Sequence, residues 1–266
     1  MGSKPRARRD RLDRLLVTRG FAQSRDAAAR MILAGEVRIG GTVMDKPSRM
    51  ISDDSTIEVR HEKGKFVGRG GEKLFAALDA SPVDPRGAIC LDIGCSTGGF
   101  TDCLLQQGAA RVYAVDVGYG QLAWTLRRDP RVVLRERTNA RYLDRTIVPE
   151  LVDLAVVDVS FISLMKILPP IIPLLRPGGA VIALVKPQFE VGKGQVGRGG
   201  IVRDETQRRQ VLQRVINFAA GLGLQSAGAV ESPIAGKKGN QEFLAIFKFS
   251  STDCDRKDSQ SCSAST

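Results

Sequence analysis

Leu91-Asp92-Ile93-Gly94-Cys95-Ser96-Thr97-Gly98-Gly99-Phe100-Thr101 decides the fold. The apolar run Ala88-Ile89-Cys90-Leu91 leads into it and reads as a strand. An acidic residue and a turn of small residues follow, and a helical pattern begins after them. Glycines 94, 98 and 99 permit positive φ and close approach to the backbone, and a new helix end offers unpaired N–H groups. A strand, tight turn and helix of this kind cradle a cofactor.

Downstream the alternation continues. Strands are expected at 88–92, 111–116, 132–135, 152–158, 179–186, 225–231 and 242–249. Helices are expected at about 99–108, 120–128, 161–175 and 204–222. Mostly apolar strands alternating with helices predict an α/β fold, a parallel sheet covered on both faces. The last strand, Glu242–Phe249, lies close behind its predecessor, which makes antiparallel pairing easy.

Upstream, Leu12, Leu15, Leu16 and Phe21 stand at helical spacing. Ser24 can cap a second helix that turns Ala27, Ala28, Met31, Ile32 and Leu33 inward and stops at Gly35. Val37, Ile39, Gly40-Gly41 and Val43 read as a hairpin, and Ile57 with Val59 as a further strand. Residues 1–30 hold nine Lys or Arg against three Asp or Glu. Domain boundaries follow: a disordered basic leader over 1–9, a small α+β domain over 10–60, a polar linker over 61–70, the α/β domain over 71–249 and a disordered tail over 250–266.

Composition narrows the chemistry. The 266 residues carry 40 Lys and Arg against 29 Asp and Glu, a net charge of +11, which favours a polyanionic partner, nucleic acid first. No apolar run is long enough to span a bilayer and no secretory leader is visible, so a cytoplasmic chain is expected, monomeric for preference. The five cysteines, at 90, 95, 103, 254 and 262, lack paired metal-ligand spacing, and His61 is the only histidine. Neither a metal site nor a Ser-His-Asp or Cys-His mechanism is expected. Lys, Asp and Glu must supply the chemistry.

Asp-x-Gly-x-x-x-Gly-Gly differs from a dinucleotide fingerprint in its spacing and in its early acidic residue. It resembles motif I of S-adenosylmethionine-dependent methyltransferases. The resemblance implies a cofactor site made of Asp92, Gly94, Ser96, Thr97, Gly98, Gly99 and Phe100. Asp92 would face the amino or sulfonium cation, and Asp116, ending the second strand, would take the ribose hydroxyls. Asn139 and Ala140, after the third strand, would meet the adenine, and Asp158 closes the fourth.

Four charged residues then fall where the carboxyl-end crevice of the sheet would gather them: Lys73, Asp158, Lys186 and Glu242. Each alone reads as a solvated charge. Their joint order resembles the catalytic tetrad of FtsJ-type RNA ribose 2′-O-methyltransferases. The helix-helix-hairpin piece, through Ser24-Arg25, Ala28, Ile32 and Gly35 to Val43, resembles the S4 RNA-binding domain. With Gly-Arg-Gly-Gly-Glu-Lys-Leu (68–74), Asp-Val-Ser-Phe-Ile-Ser-Leu (158–164) and Val-Lys-Pro-Gln-Phe-Glu (185–190), the chain is similar to the TlyA family of ribosomal RNA 2′-O-methyltransferases over about residues 10–249.

That family implies a Rossmann-like class I methyltransferase sheet behind an S4-type domain, S-adenosyl-L-methionine as cofactor, and ribosomal RNA or ribosomal subunits as partner. The acceptor would be a ribose 2′-hydroxyl, of cytidine foremost. Lysine can take a hydroxyl proton where burial and a second cation favour its neutral form, and Lys186 is the candidate base. Asp158 and Glu242 would orient the lysines and Lys73 would position the hydroxyl. Arg8, Arg9, Arg11, Arg14, Arg19, Arg25 and Arg30 are the candidate RNA contacts, since guanidinium suits phosphate forks and base stacking. Phe161 could stack on a base or fill the core. The glycine-rich stretch 191–200 could be a flap or a plain connection. Three alternatives stand beside this reading. An RNA base methyltransferase would want Pro-Pro after the acidic residue, where Asp158-Val159-Ser160-Phe161 has none. An inactive RNA- or ribosome-binding factor would not need the intact acidic and lysine positions. Membrane lysis lacks an apolar span to carry it.

Overall fold

The computed structural model describes residues 9–22, 24–33, 35–59, 65–192, 197–236 and 239–250, without the side chains of Arg30 and Arg198. The expectations for Arg8, His61, the leader before Arg9, residues 193–196 and the tail from 251 fall outside those residues. The chain divides into two compact units, at Gly64 and Lys65.

In the first unit β1 (Arg9–Arg11) runs into α1 (Leu12–Thr18), and α2 (Arg25–Leu33) follows. Ser24 Oγ accepts the Ala27 N–H at 3.1 Å, the cap its position predicts. Next come β2 (Val37–Ile39), β3 (Thr42–Val43), β4 (Met50–Ser52) and β5 (Ile57–Val59). The β2–β3 hairpin turns on Gly40 and Gly41, both at positive φ, and β5 pairs with the other side of β2. Leu12, Leu15, Leu16, Ala28, Ile32, Val37 and Ile57 form its core. Three expectations need correction. Leu33 ends its helix 70% exposed and does not point inward, because α2 stops before another turn could cover it. Phe21 lies beyond the end of α1 and is 40% exposed. Arg9 does not belong to a free leader: β1 pairs antiparallel with β4, Arg9 opposite Ser52.

The second unit is built on seven strands. They are β6 (Ile89–Ile93), β7 (Arg111–Val115), β8 (Val132–Arg135), β9 (Val152–Val157), β10 (Leu175–Val185), β11 (Leu224–Glu231) and β12 (Phe243–Phe249). Their order across the sheet is β11-β12-β10-β9-β6-β7-β8, with β12 antiparallel to both neighbours and the β6, β7, β8, β9, β10 pairings parallel. Chain direction across the sheet reverses between β6 and β9. A crevice outside the carboxyl ends opens at such a switch point.

Helices cover both faces. Leu74, Ala77 and Leu78 of α3 (Gly70–Asp79) and Phe100, Cys103 and Leu104 of α4 (Gly99–Gln106) pack on Cys90, Val112, Leu154 and Val156. On the other face Val211, Val215 and Ala219 of α8 (Glu205–Ala220) join Leu91, Val115, Ala155 and Val157. Adjacent residues of one strand thus serve opposite cores, which is why these strands read as unbroken apolar runs. The helix expected over 161–175 is instead fragmented: a 3-10 turn at Leu164–Lys166, α6 at Leu168–Ile171 and a 3-10 turn at Ile172–Leu174. Prolines 169, 170 and 173 withdraw the N–H groups a continuous helix would need. Likewise 120–128 yields only α5 (Trp124–Arg127), and α7 (Pro187–Glu190) appears where no helix was expected.

Candidate active site

The turn after β6 begins with two strand-end contacts. Gly94 and Cys95 donate their N–H groups to the Val115 carbonyl, and Asp158 donates its own to Ile93. Gly94 has φ +84°, and a Cβ there would strike the Asp158 carbonyl oxygen. Gly98, at φ +100°, caps α4, and a Cβ on it would run into Leu126. A Cβ on Gly99 would meet Gly71 N at 2.9 Å and Gly68 O at 3.0 Å. Neighbouring chain thus requires glycine at these three positions, and Gly94 and Gly98 have the positive φ expected of them. Phe100 needs correction as a cofactor contact: its ring is 3% exposed and belongs to the core. Ser96 and Thr97 are the exposed part of the turn.

Asp92 is wholly buried. Its Oδ2 accepts the Thr101 hydroxyl at 2.6 Å, while Oδ1 has no hydrogen-bond partner. Burial pushes the carboxyl up to about 7, against the Thr101 hydrogen bond, with the charges of Asp158 and Asp116 adding to the rise. Asp116 Oδ2 accepts Ser96 N–H at 2.8 Å and Oδ1 accepts Gly118 N–H at 2.7 Å. Asn139 caps a 3-10 turn, Ala140–Tyr142, through Oδ1, which leaves its amide N–H groups for a ligand. Asp92, with a bare buried oxygen, and Asp116 at the adjacent strand end repel one another and fit a ligand that carries cationic ammonium and sulfonium groups. Burial also drives the thiols of Cys90 and Cys103 up to about 12 and that of Cys95 higher still, so they remain protonated and inert. Among the described residues no His, Cys, Asp and Glu gather into a metal-holding group.

The other charged residues meet beside this turn. Antiparallel pairing sets Val185 opposite Phe243, so Lys186 and Glu242 flank the same end of the sheet. Lys73, on the first turns of α3, donates from Nζ to Glu242 Oε2 at 2.6 Å, both side chains being buried. Lys186 Nζ lies 2.5 Å from Asp158 Oδ1 and donates to Ser160 Oγ at 3.0 Å. A Cβ on Gly70 would stand 3.8 Å from Asp158 Oδ2, so α3 begins against the second ion pair. All four predicted residues thus share one edge, as two lysine–carboxylate pairs.

Several neighbours escaped the sequence reading. Ser160 joins Lys186. Asn240, 2% exposed, accepts Val202 N–H and donates to the Gly200 carbonyl, tying the end of the glycine-rich stretch next to Glu242. Glu190 accepts from Ser163 and Leu164. Phe161 is 91% exposed at φ +64°, its ring 5.0 Å from that of Phe189, and so does not fill the core.

The predicted arginines of the first unit are largely engaged within it. Arg11 and Arg25 converge on Asp13 at 2.7 and 3.3 Å, and these hydrogen bonds hold that carboxyl down at about 2. Arg19 donates to the carbonyls of Ser55 and Asp53, Arg9 to that of Met50, and Arg14 pairs loosely with Asp10 at 3.7 Å.

Residues 66–249 match the FtsJ-like methyltransferase family and residues 10–57 the S4 domain. The chain is 49% identical over 239 residues to the 16S/23S rRNA (cytidine-2′-O)-methyltransferase TlyA of Mycobacterium tuberculosis, covering 90% of this chain and 89% of that one. It is 43% identical to the hemolysin A of Brachyspira hyodysenteriae, over 89% and 99% of the two chains. A solved Streptococcus thermophilus structure named as a hemolysin superposes with a TM-score of 0.72 at 43% identity, over 93% of this chain and 90% of that one. No described helix is long and apolar enough to cross a membrane. The chain belongs to the TlyA family of S-adenosylmethionine-dependent methyltransferases, an S4 domain joined to an FtsJ-like catalytic domain.

Proposed function

We propose that this protein methylates the 2′-hydroxyl of a cytidine ribose in ribosomal RNA, with Lys186 as the group that receives the hydroxyl proton. One observation carries the assignment: Lys73, Asp158, Lys186 and Glu242 meet at the carboxyl edge of the sheet as two ion pairs, beside the turn that suits the cofactor. S-adenosylmethionine, when bound, supplies an electrophilic methyl group. Asp92 and Asp116 would hold its cationic and ribose ends, and Asn139 would offer amide donors to the adenine.

A ribose hydroxyl is a weak nucleophile at neutral pH and must shed its proton as it attacks. Lys186 Nζ takes that proton once the ammonium paired with Asp158 has released one to solvent, and Asp158 then faces the ammonium formed anew. Ser160 fixes the direction of Nζ. Lys73, anchored by Glu242, donates to the ribose oxygen and orients it. None of these groups is consumed, so positioning carries much of the rate.

RNA as the acceptor is supported by the surface next to Asp116. Tyr119, Trp124 and Tyr142 are more than half exposed, and Arg137, Arg128 and Arg141 lie 4.5, 5.7 and 5.4 Å from their rings. Flat cationic platforms of this kind suit unstacked bases and phosphates. Phe161 offers a further exposed ring beside Asp158, to stack on the target base.

Lys186→Ala is expected to abolish methyl transfer to ribosomal particles and leave S-adenosylmethionine affinity, measured by calorimetry, largely intact. Equal loss of both would refute the division of roles. Mass spectrometry of the nucleosides from the wild-type reaction should return 2′-O-methylcytidine, and a ring-methylated base would overturn the assignment.

A further inference from the structure

Three rungs join the segment 186–190 to the segment 158–164. The first is Lys186 with Asp158 and Ser160. The second is the Phe189 ring against Phe161, 5.0 Å apart and tilted by 47°. Glu190 makes the third: Oε2 accepts the Ser163 hydroxyl at 2.6 Å and Oε1 accepts Leu164 N–H at 2.8 Å. Ser163 Oγ in turn accepts Met165 N–H at 3.2 Å, which leaves its hydrogen directed at Glu190.

Glu190 is 8% exposed, and among the described residues its carboxylate has these donors and no ion pair. Burying a carboxylate on two neutral donors is costly, and a plain helix cap would need only Ser or Asn. What it fastens is unusual. Phe161 sits two residues before Ser163 at positive φ, a conformation a bulky residue keeps only when its surroundings fix it. Its ring is almost fully in solvent, so core packing does not hold it there. Ser163 and Leu164, immediately after this turn, are the points at which Glu190 grips the chain.

We propose that Glu190 is a positioning residue for methyl transfer: by clamping Ser163 and Leu164 it holds the strained turn at Phe161, and with it Asp158 and Ser160, in register with Lys186. The proposal rests on the reaction assigned above to Lys186. Glu190 touches neither of the reacting atoms, so its loss should misplace the groups that do and leave the cofactor turn after β6 intact.

The test compares Glu190→Ala, Glu190→Gln and Ser163→Ala in the full chain. Displacing a catalytic constellation by an ångström costs up to about a hundredfold, so kcat on ribosomal particles should fall roughly 10- to 100-fold in Glu190→Ala, with S-adenosylmethionine Kd unchanged within about twofold. Glu190→Gln can accept from Leu164 and donate to Ser163, and should restore most of the rate. Ser163→Ala should lower kcat by less, and add nothing further in the Glu190→Ala background, since both act through one contact. If Glu190→Ala does not fold, the Ser163→Ala rate decides alone: a several-fold loss supports the clamp and a wild-type rate overturns it. A wild-type rate in Glu190→Ala, a parallel loss of S-adenosylmethionine binding, or a Gln variant as slow as Ala would also overturn it. Hydrogen exchange over residues 159–165 needs no substrate. It should quicken in Glu190→Ala even if wild-type protein yields no 2′-O-methylated product, an outcome that would sink the reaction and keep the clamp; unchanged exchange sinks the clamp itself.

Discussion

Asp92 and Glu242 are both buried carboxylates, and their neighbours give them opposite consequences. Burial, with two repelling acids and against the Thr101 hydroxyl, keeps the Asp92 carboxyl protonated up to about pH 7, where an unfolded chain releases that proton near 3.8. Between those values the folded state binds more protons, and its stability falls as pH rises, by about 1.4 kcal/mol per unit from this group, levelling off above 7. Asp92→Asn keeps an acceptor for Thr101 and removes the titration. In thermal melts without cofactor, the gap in melting temperature in favour of the variant should widen from pH 4 to 7 and then stay constant; a constant gap throughout would refute the burial argument. S-adenosylmethionine affinity should nonetheless drop, because the carboxylate proposed to face its cation is gone. Glu242 instead has Lys73 at 2.6 Å. Removing one member of a buried pair strands the other, so Glu242→Ala should cost about 3 kcal/mol in denaturant unfolding along with activity. Truncating Arg14, exposed and 3.7 Å from Asp10, should cost almost nothing.

At the level of elements, the site exists because strand ends are locked to one another. Gly94 lets the turn after β6 cross the carbonyl of Asp158 at a distance no Cβ could share. Gly94→Ala should therefore lower stability by about 1–3 kcal/mol through strain at positive φ, and it should reduce methyl transfer further than that loss accounts for, since Asp158 must move. Stopped-flow transfer at a temperature where the variant remains folded would separate the two. Long periodic elements were legible before any coordinates: β6, β7, β9 and β10 declare themselves as apolar runs because each is buried on two faces. Asp158, Lys186 and Glu242 stand at the ends of such runs and Lys73 lies on α3, so their grouping comes from the resemblance to FtsJ-type enzymes, and the structure brings the four to one edge. Elements governed by proline were not, since the apolar residues of 161–175 imitate a helix that Pro169, Pro170 and Pro173 forbid. The Glu190 clamp was hidden because it joins two short irregular segments 27 residues apart in sequence, where no period marks which side chains will meet. For glycines 98 and 99 the spacing shows that a close approach is needed, and only the structure shows that Leu126 and the 68–71 backbone make one.

For the whole molecule the question is which of its positive charges are free to meet RNA. A net charge of +11 suggests many, yet in the S4 unit the guanidinium groups differ in kind. Arg19 ties the Asp53–Ser55 turn to the end of α1 by donating to two carbonyls, and that contact is part of the fold. Arg14 has a side chain 60% exposed and, among the described residues, only a loose partner, Asp10 of β1, so its charge is available to a phosphate. Neutralising phosphates releases counterions, and log affinity falls linearly with log salt in proportion to the number of contacts. Arg14→Ala should weaken binding to ribosomal RNA, reduce that slope by about 0.7 to 0.9, and leave the melting temperature unchanged. Arg19→Ala should do the reverse in order of effect: lower the stability of the S4 unit first, with RNA affinity lost only as the unit opens and the salt slope of the folded fraction preserved. Fluorescence anisotropy titrations from 50 to 200 mM salt, run beside thermal melts, read both quantities. An Arg19→Ala protein that keeps its melting temperature and loses slope would move Arg19 from the frame of the domain to its RNA face.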